Sequence, residues 1–445
     1  MFKRIHFIGV GGIGVSALAR YFLHQGAKIS GSDLASSEIT DELKKSGIKI
    51  FIRPHSSQNI PPKTDLVIYT AAVKKDNPEL KEARRRGIKC KTYSQALGDL
   101  TKKYFTIAIS GAHGKSTTTA MISLILIKAG FDPTVIIGTK LKEFNNTNFR
   151  PGKSKYLVIE ADEWNASFLN YWPKIIVLTN IEKEHLDYYK NLKHILGTFK
   201  EYVSHLPKDG TLVANGDDKN IGKIIQNAKF KIQKYNSKFK IKRLNLKVPG
   251  KHNLMNAFAA IMVSRFLNIP DKISIKALNN FKGTWRRFET IGKLNNAILI
   301  SDYAHHPTEI KATLAAGRQK YPKKEIWCVF QPHQYQRTKY LFKDFIKAFD
   351  LADKILLLDI YEVAGREEPN NLPRRNYRKT VSQLIRQISS QKLADAIKKR
   401  GKDARYFNGF KEVIKFLKKN ADKNKVIFIM GAGDIWKLAK ELKNR

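Results

Sequence analysis

The chain has 445 residues, 42% of them hydrophobic, with 82 basic against 39 acidic side chains and a formal net charge of +43. That length favours more than one core, the apolar content suits a soluble globular chain, and no run of 18 apolar residues offers a membrane span. The basic residues are dispersed, as in Lys399-Arg400-Gly401-Lys402, and form no tail. They read as lysines on solvated faces, with phosphate capture as a local contribution.

Taken in chain order, strand and helix patterns alternate, which predicts an α/β architecture of parallel sheets covered by helices. A strand at Arg4–Ile8 leads into Gly9-Val10-Gly11-Gly12-Ile13-Gly14 and a helix over Val15–Gln25. Its apolar part is short and glycine-broken and precedes no small-residue cleavage site, so it reads as a strand, not a leader. A second strand, Lys28–Gly31, closes at Asp33, and further strands are expected at Lys49–Ile52 and Leu66–Thr70. Gly-x-Gly-x-x-Gly after a strand, with an acidic residue closing the next, predicts a site for a diphosphate-bearing nucleotide, of which NAD is one candidate.

The next segment carries the sharper signal. An alternating strand through Ser110 runs into Gly111-Ala112-His113-Gly114-Lys115-Ser116-Thr117, with a helix expected over Ala120–Lys128. Backbone N–H groups, an ammonium and a hydroxyl in this order form a phosphate-binding loop. Ile109 stands where the strict Walker spacing has glycine. Two nucleotide sites on one chain predict ATP in the middle and a nucleotide-linked substrate in the first segment. Lys115 is expected to bridge the β- and γ-phosphates and Ser116 to ligate Mg²⁺. Glu160 ends the apolar strand Tyr156–Glu160, where a metal-holding carboxylate belongs, a plain lysine pair being the alternative. A strand at Ile175–Thr179 and a helix over His252–Leu267 follow, with Asn253 and Asn256 on one helix face.

The third segment is expected to hold strands Ala297–Ser301, Glu325–Phe330, Lys354–Leu358 and Lys425–Ile429. Three domains follow: residues 1–103, 104–291 and 292–445. Cys90 and Cys328 lie far apart in strand-like contexts, giving neither a disulfide framework nor a metal spacing, so the cytoplasm is the default.

GVGGIGVSALA (9–19), SGSD (30–33), AVKKDNPEL (72–80), GAHGKSTTTAM (111–121), EADE (160–163), TNIEKEHLDYY (179–189), PGKHNLMNA (249–257), RRFE (286–289), DYAHHPTEI (302–310), FQPHQYQRT (330–338) and MGAGDI (430–435) occur in that order. Together they resemble the Mur ligase family, in the branch that adds the first amino acid during peptidoglycan synthesis. The resemblance implies a Rossmann-like N-terminal domain holding a UDP-sugar through Gly9, Gly11, Gly12, Gly14, Ser32 and Asp33. It further implies a central ATPase domain, with residues 111–117 on the nucleotide, and a C-terminal Rossmann-like domain that binds the amino acid and closes over ATP. The implied reaction uses ATP and Mg²⁺. The lactyl carboxylate of UDP-N-acetylmuramic acid takes the γ-phosphate, and the amine of L-alanine then displaces phosphate from the acyl phosphate.

By the same resemblance, His185 takes a second magnesium-associated position beside the one held by Ser116 and Glu160, and Asn253 and Asn256 contact the ATP base and phosphates. Arg287 reaches the γ-phosphate and Asp302 the ribose, while Tyr303, His305 and His333 surround the amino acid. A monomer or weak dimer with no specific nucleic acid partner is implied. Two departures matter. Gln334 stands where the family carries arginine, so the amino-acid carboxylate loses a bidentate partner. Either Arg337 or a lysine compensates, or the amino acid is glycine or serine instead. Trp164-Asn165 replaces the family's Ser-Asp after Glu163. The rivals are a ligase that attaches a whole tripeptide to the same sugar nucleotide, and a basic P-loop nucleic-acid-binding ATPase supported by the charge and the acidic residues at 160–163. A dehydrogenase would leave the phosphate loop without a purpose.

Overall fold

The computed structural model describes residues 2–186, 188–226, 228, 230–363 and 387–443. Three sheets follow one another along the chain. The first contains β1 (Arg4–Ile8), β2 (Lys28–Asp33), β3 (Lys49–Ile52), β4 (Leu66–Tyr69) and β5 (Lys89–Thr92) in the order β3-β2-β1-β4-β5. All its pairs are parallel. The second contains β6 (Phe105–Ser110), β7 (Thr134–Leu141), β8 (Thr147–Arg150), β9 (Tyr156–Glu160), β10 (Ile175–Leu178), β11 (Thr211–Asn215) and β12 (Lys231–Tyr235). Its order is β12-β11-β10-β6-β9-β7-β8. Ile107–Ile109, Leu157–Ile159 and Ile175–Leu178 are fully buried, as expected of central parallel strands covered on both faces.

The third sheet contains β13 (Glu289–Leu294), β14 (Ala297–Asp302), β15 (Glu325–Phe330), β16 (Lys354–Leu357), β17 (Asp403–Tyr406) and β18 (Lys425–Met430), ordered β13-β14-β18-β15-β16-β17. It belongs to a compact unit of Leu246–Leu254 and Lys282–Arg445. The first two sheets share the other unit, Met1–Asn245 with Met255–Phe281.

Two strand pairs depart from the expected parallel pattern. β13 and β14 are antiparallel, as are β7 and β8. Asn295 and Asn296, at φ 47° and 66°, join β13 to β14 directly. A two-residue turn of left-handed residues makes a hairpin and leaves no room for a parallel crossover. Asn145 and Asn146, at φ 55° and 57°, turn the chain into β8 after a single 3-10 turn, Lys142–Phe144, that follows β7.

The helix after the phosphate loop starts earlier than the sequence predicts, at Lys115, and runs to Lys128. Thr117, Thr118 and Thr119 are β-branched and discourage a helix start, yet all three are buried. Burial of this helix on most of its faces, from Ser116 to Leu126, overrides local propensity.

Within the first unit, two buried polar side chains of the second sheet, Lys140 and Asn148, reach helices of the first. Lys140 on β7 reaches Glu38 Oε1 at 2.6 Å and Glu42 Oε1 at 2.7 Å while only 4% exposed. Asn148 on β8 donates to the Ile13 carbonyl at 2.5 Å and to Ser16 Oγ at 2.8 Å. No helix among the described residues is long and apolar enough to cross a membrane.

Candidate active site

The glycine turn of the first sheet is closed by its own neighbours. The N–H groups of Gly9 and Val10 donate to the Ser32 carbonyl at 2.9 and 3.1 Å. Gly11 N–H donates to Asp33 Oδ2 at 2.8 Å, so Asp33 holds the turn in shape. Gly12 then caps the helix Ile13–His24, whose N-terminus offers free N–H groups and a positive dipole end.

Beneath Ser32 lies a polar cluster that the sequence reading did not find. Glu79, fully buried, accepts from Ser32 Oγ at 2.7 Å, Asn59 Nδ2 at 2.8 Å, His6 Nε2 at 2.8 Å and His55 Nδ1 at 2.7 Å. Burial works against its charge, but these hydrogen bonds hold the carboxyl well below the usual carboxylate range. The motif AVKKDNPEL contained Glu79, but partners up to 73 residues away are a tertiary fact.

The phosphate loop is built from β6 and fastened to the end of β10. Ala112 N–H donates to the Asn180 carbonyl at 3.1 Å and His113 N–H to Asn180 Oδ1 at 2.9 Å. The His113 carbonyl accepts from Thr179 Oγ1 at 2.7 Å and Asn180 Nδ2 at 2.9 Å. Gly111 has φ 128°, and a Cβ there would collide with Thr179 Oγ1 and lie 2.7 Å from the Asn180 carbonyl oxygen. Asn180 is thus the loop's anchor, and its only sequence signal was its place in the TNIEKEHLDYY motif.

Lys115 and Ser116 occupy the first helical turn, and each meets a carboxylate. Lys115 Nζ lies 2.9 Å from Glu163 Oε2, 2.7 Å from the Gly111 carbonyl oxygen and 4.0 Å from Asp162. Burial alone would lower the Lys115 pKa, but the Glu163 and Asp162 charges override it and hold the ammonium protonated. Burial pushes the Glu163 carboxyl up to about 7, against the pull of Lys115.

Ser116 Oγ donates to Glu160 Oε2 at 3.1 Å, while Gly138 N–H donates to Glu160 Oε1 at 2.6 Å. His185, at φ 55°, places Nε2 3.6 Å from Glu163 Oε1. The ligand atoms of Asp162, Glu163 and His185 lie within 4.8 Å of one another. The oxygen donors here match what Mg²⁺ accepts, and the His185 nitrogen is the one donor softer than that ion prefers. Trp164 opens the following turn, where Asn165 and Ala166 take φ 55° and 50°. Asn256 is 6% exposed, and its Oδ1 would lie 2.5 Å from a Cβ at Gly114.

The second unit holds the remaining residues. Asn253, on the helix Lys251–Phe266, donates from Nδ2 to the Pro249 carbonyl at 2.7 Å. Burial lowers the His252 pKa to about 4, with Arg287 assisting. Arg287 stands over the Tyr303 ring at 5.5 Å, and Arg286 covers the same ring at 5.0 Å. Asp302 ends β14 and accepts the N–H groups of Phe288 at 2.7 Å and Ala304 at 2.8 Å. Burial raises its carboxyl to about 6.

His305 and His333 lie with ring centroids 5.6 Å apart, and His333 stacks on Tyr361 at 5.7 Å. The Arg337 guanidinium reaches His333 Nδ1 at 3.0 Å. Gln334 is 4% exposed and takes φ 72° and ψ 128°, a costly backbone for a non-glycine residue. Its Nε2 is buried with no hydrogen-bond partner among the described residues.

A glycine turn on one sheet and a phosphate loop backed by carboxylates on the next define a modular, nucleotide-using α/β enzyme. The chain belongs to the Mur ligase family. Residues 4–105 match "Mur ligase family, catalytic domain", residues 109–242 "Mur ligase middle domain" and residues 286–433 "Mur ligase, glutamate ligase domain". A UDP-N-acetylmuramate–L-alanine ligase from Clostridium botulinum is 43% identical over 464 aligned positions, covering 98% of this chain and 97% of the relative. The crystal structure of the UDP-N-acetylmuramate-alanine ligase of Thermotoga maritima superposes with a TM-score of 0.81 at 28% identity, covering 100% of this chain and 99% of that one. A murein peptide ligase from Psychrobacter arcticus shares the fold, with a TM-score of 0.73 at 22% identity, covering 99% and 98%.

Proposed function

We propose that this chain is an ATP-dependent ligase that joins L-alanine to the lactyl carboxylate of UDP-N-acetylmuramic acid, releasing ADP and phosphate. The observation that carries the reading is the phosphate loop, with Lys115 and Ser116 on the first helical turn facing Glu163 and Glu160. It stands beside 43% identity, over nearly the whole chain, to a ligase of that name.

In this reading residues 1–103 take the UDP-sugar at Gly9, Gly11, Gly12, Gly14, Ser32 and Asp33. Residues 104–291 take ATP at the loop 111–117 and Asn256, and residues 292–445 take the amino acid. Lys115 leaves Glu163 for the β- and γ-phosphates and neutralises charge as the γ-phosphoryl moves to the lactyl carboxylate. Ser116 and Glu160 would hold one Mg²⁺ and His185 would serve a second magnesium-associated position, the metal supplying Lewis-acid screening of the phosphate oxygens. Asn253, Arg287 and Asp302 are assigned to the nucleotide. Tyr303, His305 and His333 are assigned to the space around the incoming amine, and Gln334 to its carboxylate. The unpartnered Nε2 of Gln334 supports that last role, because a buried donor without an acceptor is costly until a ligand oxygen arrives.

The test is phosphate release by purified protein with Mg²⁺-ATP and UDP-N-acetylmuramic acid, across L-alanine, glycine, L-serine, a tripeptide and no amino acid. Release that requires the sugar nucleotide and L-alanine supports the reading. Preference for glycine, serine or the tripeptide would replace the amino acid and keep the chemistry. Release indifferent to both would overturn it.

A further inference from the structure

Tyr93 is the first residue of the helix Tyr93–Thr101, whose start is fixed by a reciprocal cap between Thr92 and Gln95. Asn170 Nδ2 donates to Ser94 Oγ at 3.3 Å and ties this first turn to the chain beyond Trp164. The phenol projects onto the glycine turn: a Cβ on Gly14 would lie 2.9 Å from the Tyr93 hydroxyl oxygen and 3.0 Å from Cζ. Gly14 is therefore bare where the hydroxyl passes.

Burial first, and the charges of Glu160 and Asp162 second, raise the Tyr93 pKa, so the hydroxyl keeps its proton and remains a donor. It has no hydrogen-bond partner among the described residues, and its side chain is half-buried. The hydroxyl thus lies between two unlike surroundings. One is the N-terminus of the helix Ile13–His24, which favours an anion, and the other is a pair of carboxylates, which repels one.

We propose that Tyr93 is a sugar-nucleotide-binding residue whose hydroxyl donates a hydrogen bond to the diphosphate of the UDP-sugar alongside Gly14. The proposal rests on the functional reading above. It favours the diphosphate because the helix N-terminus draws an anion to the Gly14 side of the hydroxyl.

The test compares wild type with Tyr93→Phe, which keeps the ring and removes only the donor. The KM for UDP-N-acetylmuramic acid is expected to rise about ten-fold, the usual scale for a hydrogen bond to a charged group, with the KM for ATP and the melting temperature unchanged. In titrations without ATP, the preference for UDP over uridine should shrink by a similar factor. A KM for the sugar nucleotide within two-fold of wild type, or an undiminished UDP preference, overturns the proposal. Gly14→Ala approaches the contact from the other side: its effect on sugar-nucleotide KM should be smaller in the Tyr93→Phe background than in wild type, and strict additivity also overturns it. Wild-type protein that releases phosphate without the sugar nucleotide would defeat the functional reading instead.

Discussion

Lys115 Nζ and Glu163 Oε2 stand 2.9 Å apart, with the Gly111 carbonyl on the same ammonium at 2.7 Å. The cation of the phosphate loop is thus stored against a buried carboxylate and its own loop. On the proposed reading, a triphosphate would have to outcompete both, and its several negative charges favour that exchange.

Lys115→Ala is therefore expected to lower the rate of phosphate release by at least about 10²- to 10³-fold, the scale of losing one charge-stabilising donor. The fold should survive the change. Burial already pushes Glu163 up to about 7, so without its cation it takes up a proton and avoids a stranded charge. Steady-state phosphate release and thermal melting check the two halves, and near-wild-type turnover would sink the loop's assigned role.

The Glu79 cluster makes a prediction about acid stability. Its carboxyl is held below its ordinary value by Ser32, Asn59, His6 and His55, despite burial. A depressed folded-state pKa means the unfolded chain binds the proton first as pH falls. This contribution is fully present above the ordinary glutamate pKa of about 4.3 and is lost progressively below it. Glu79→Ala should cost about 1–3 kcal/mol at pH 7, as leaving buried donors without their acceptor does, and should flatten the decline below pH ~4. Urea unfolding from pH 3 to 7 measures both, and an unchanged slope in the variant would remove Glu79 as the source.

Gly111 offers a test of the loop anchor. Gly111→Ala puts a methyl against Thr179 Oγ1 and the Asn180 carbonyl at a backbone angle that alanine resists. Expected are loss of ATP binding by more than about ten-fold and a melting temperature lowered by several degrees, in line with about 1–2 kcal/mol of strain. Isothermal titration with ATP, with and without the change, decides it.

Strands buried on both faces were plain in the sequence: Arg4–Ile8, Tyr156–Glu160 and Glu325–Phe330 lie where their apolar runs predict. Lys89–Thr92 and Asp403–Tyr406, at the sheet edges, carry polar residues and show no such run. The site divides along a similar line. Glu160 was readable because it ends an apolar strand, and that strand lies beside the one carrying the loop. Glu163 drew notice only as part of an acidic cluster, because its approach to Lys115 depends on how the chain turns after β9. Asn180 and Glu79 act through partners supplied by other elements, and no local pattern announces that.

Gln334 gives the most direct test of the amino-acid site. Its amide is buried without an acceptor, and its backbone sits at φ 72°. Both features cost stability in the free protein, roughly 1–3 kcal/mol each. Gln334→Gly removes both, so the melting temperature should rise, while the KM for L-alanine should increase about ten-fold as the carboxylate loses its donor. Gln334→Arg, by contrast, would supply a bidentate partner and is expected to lower that KM. A Gln334→Gly variant that gains stability but keeps its alanine KM would leave the strain unexplained by substrate binding, and attention would move to Arg337, whose guanidinium lies 3.0 Å from His333 Nδ1.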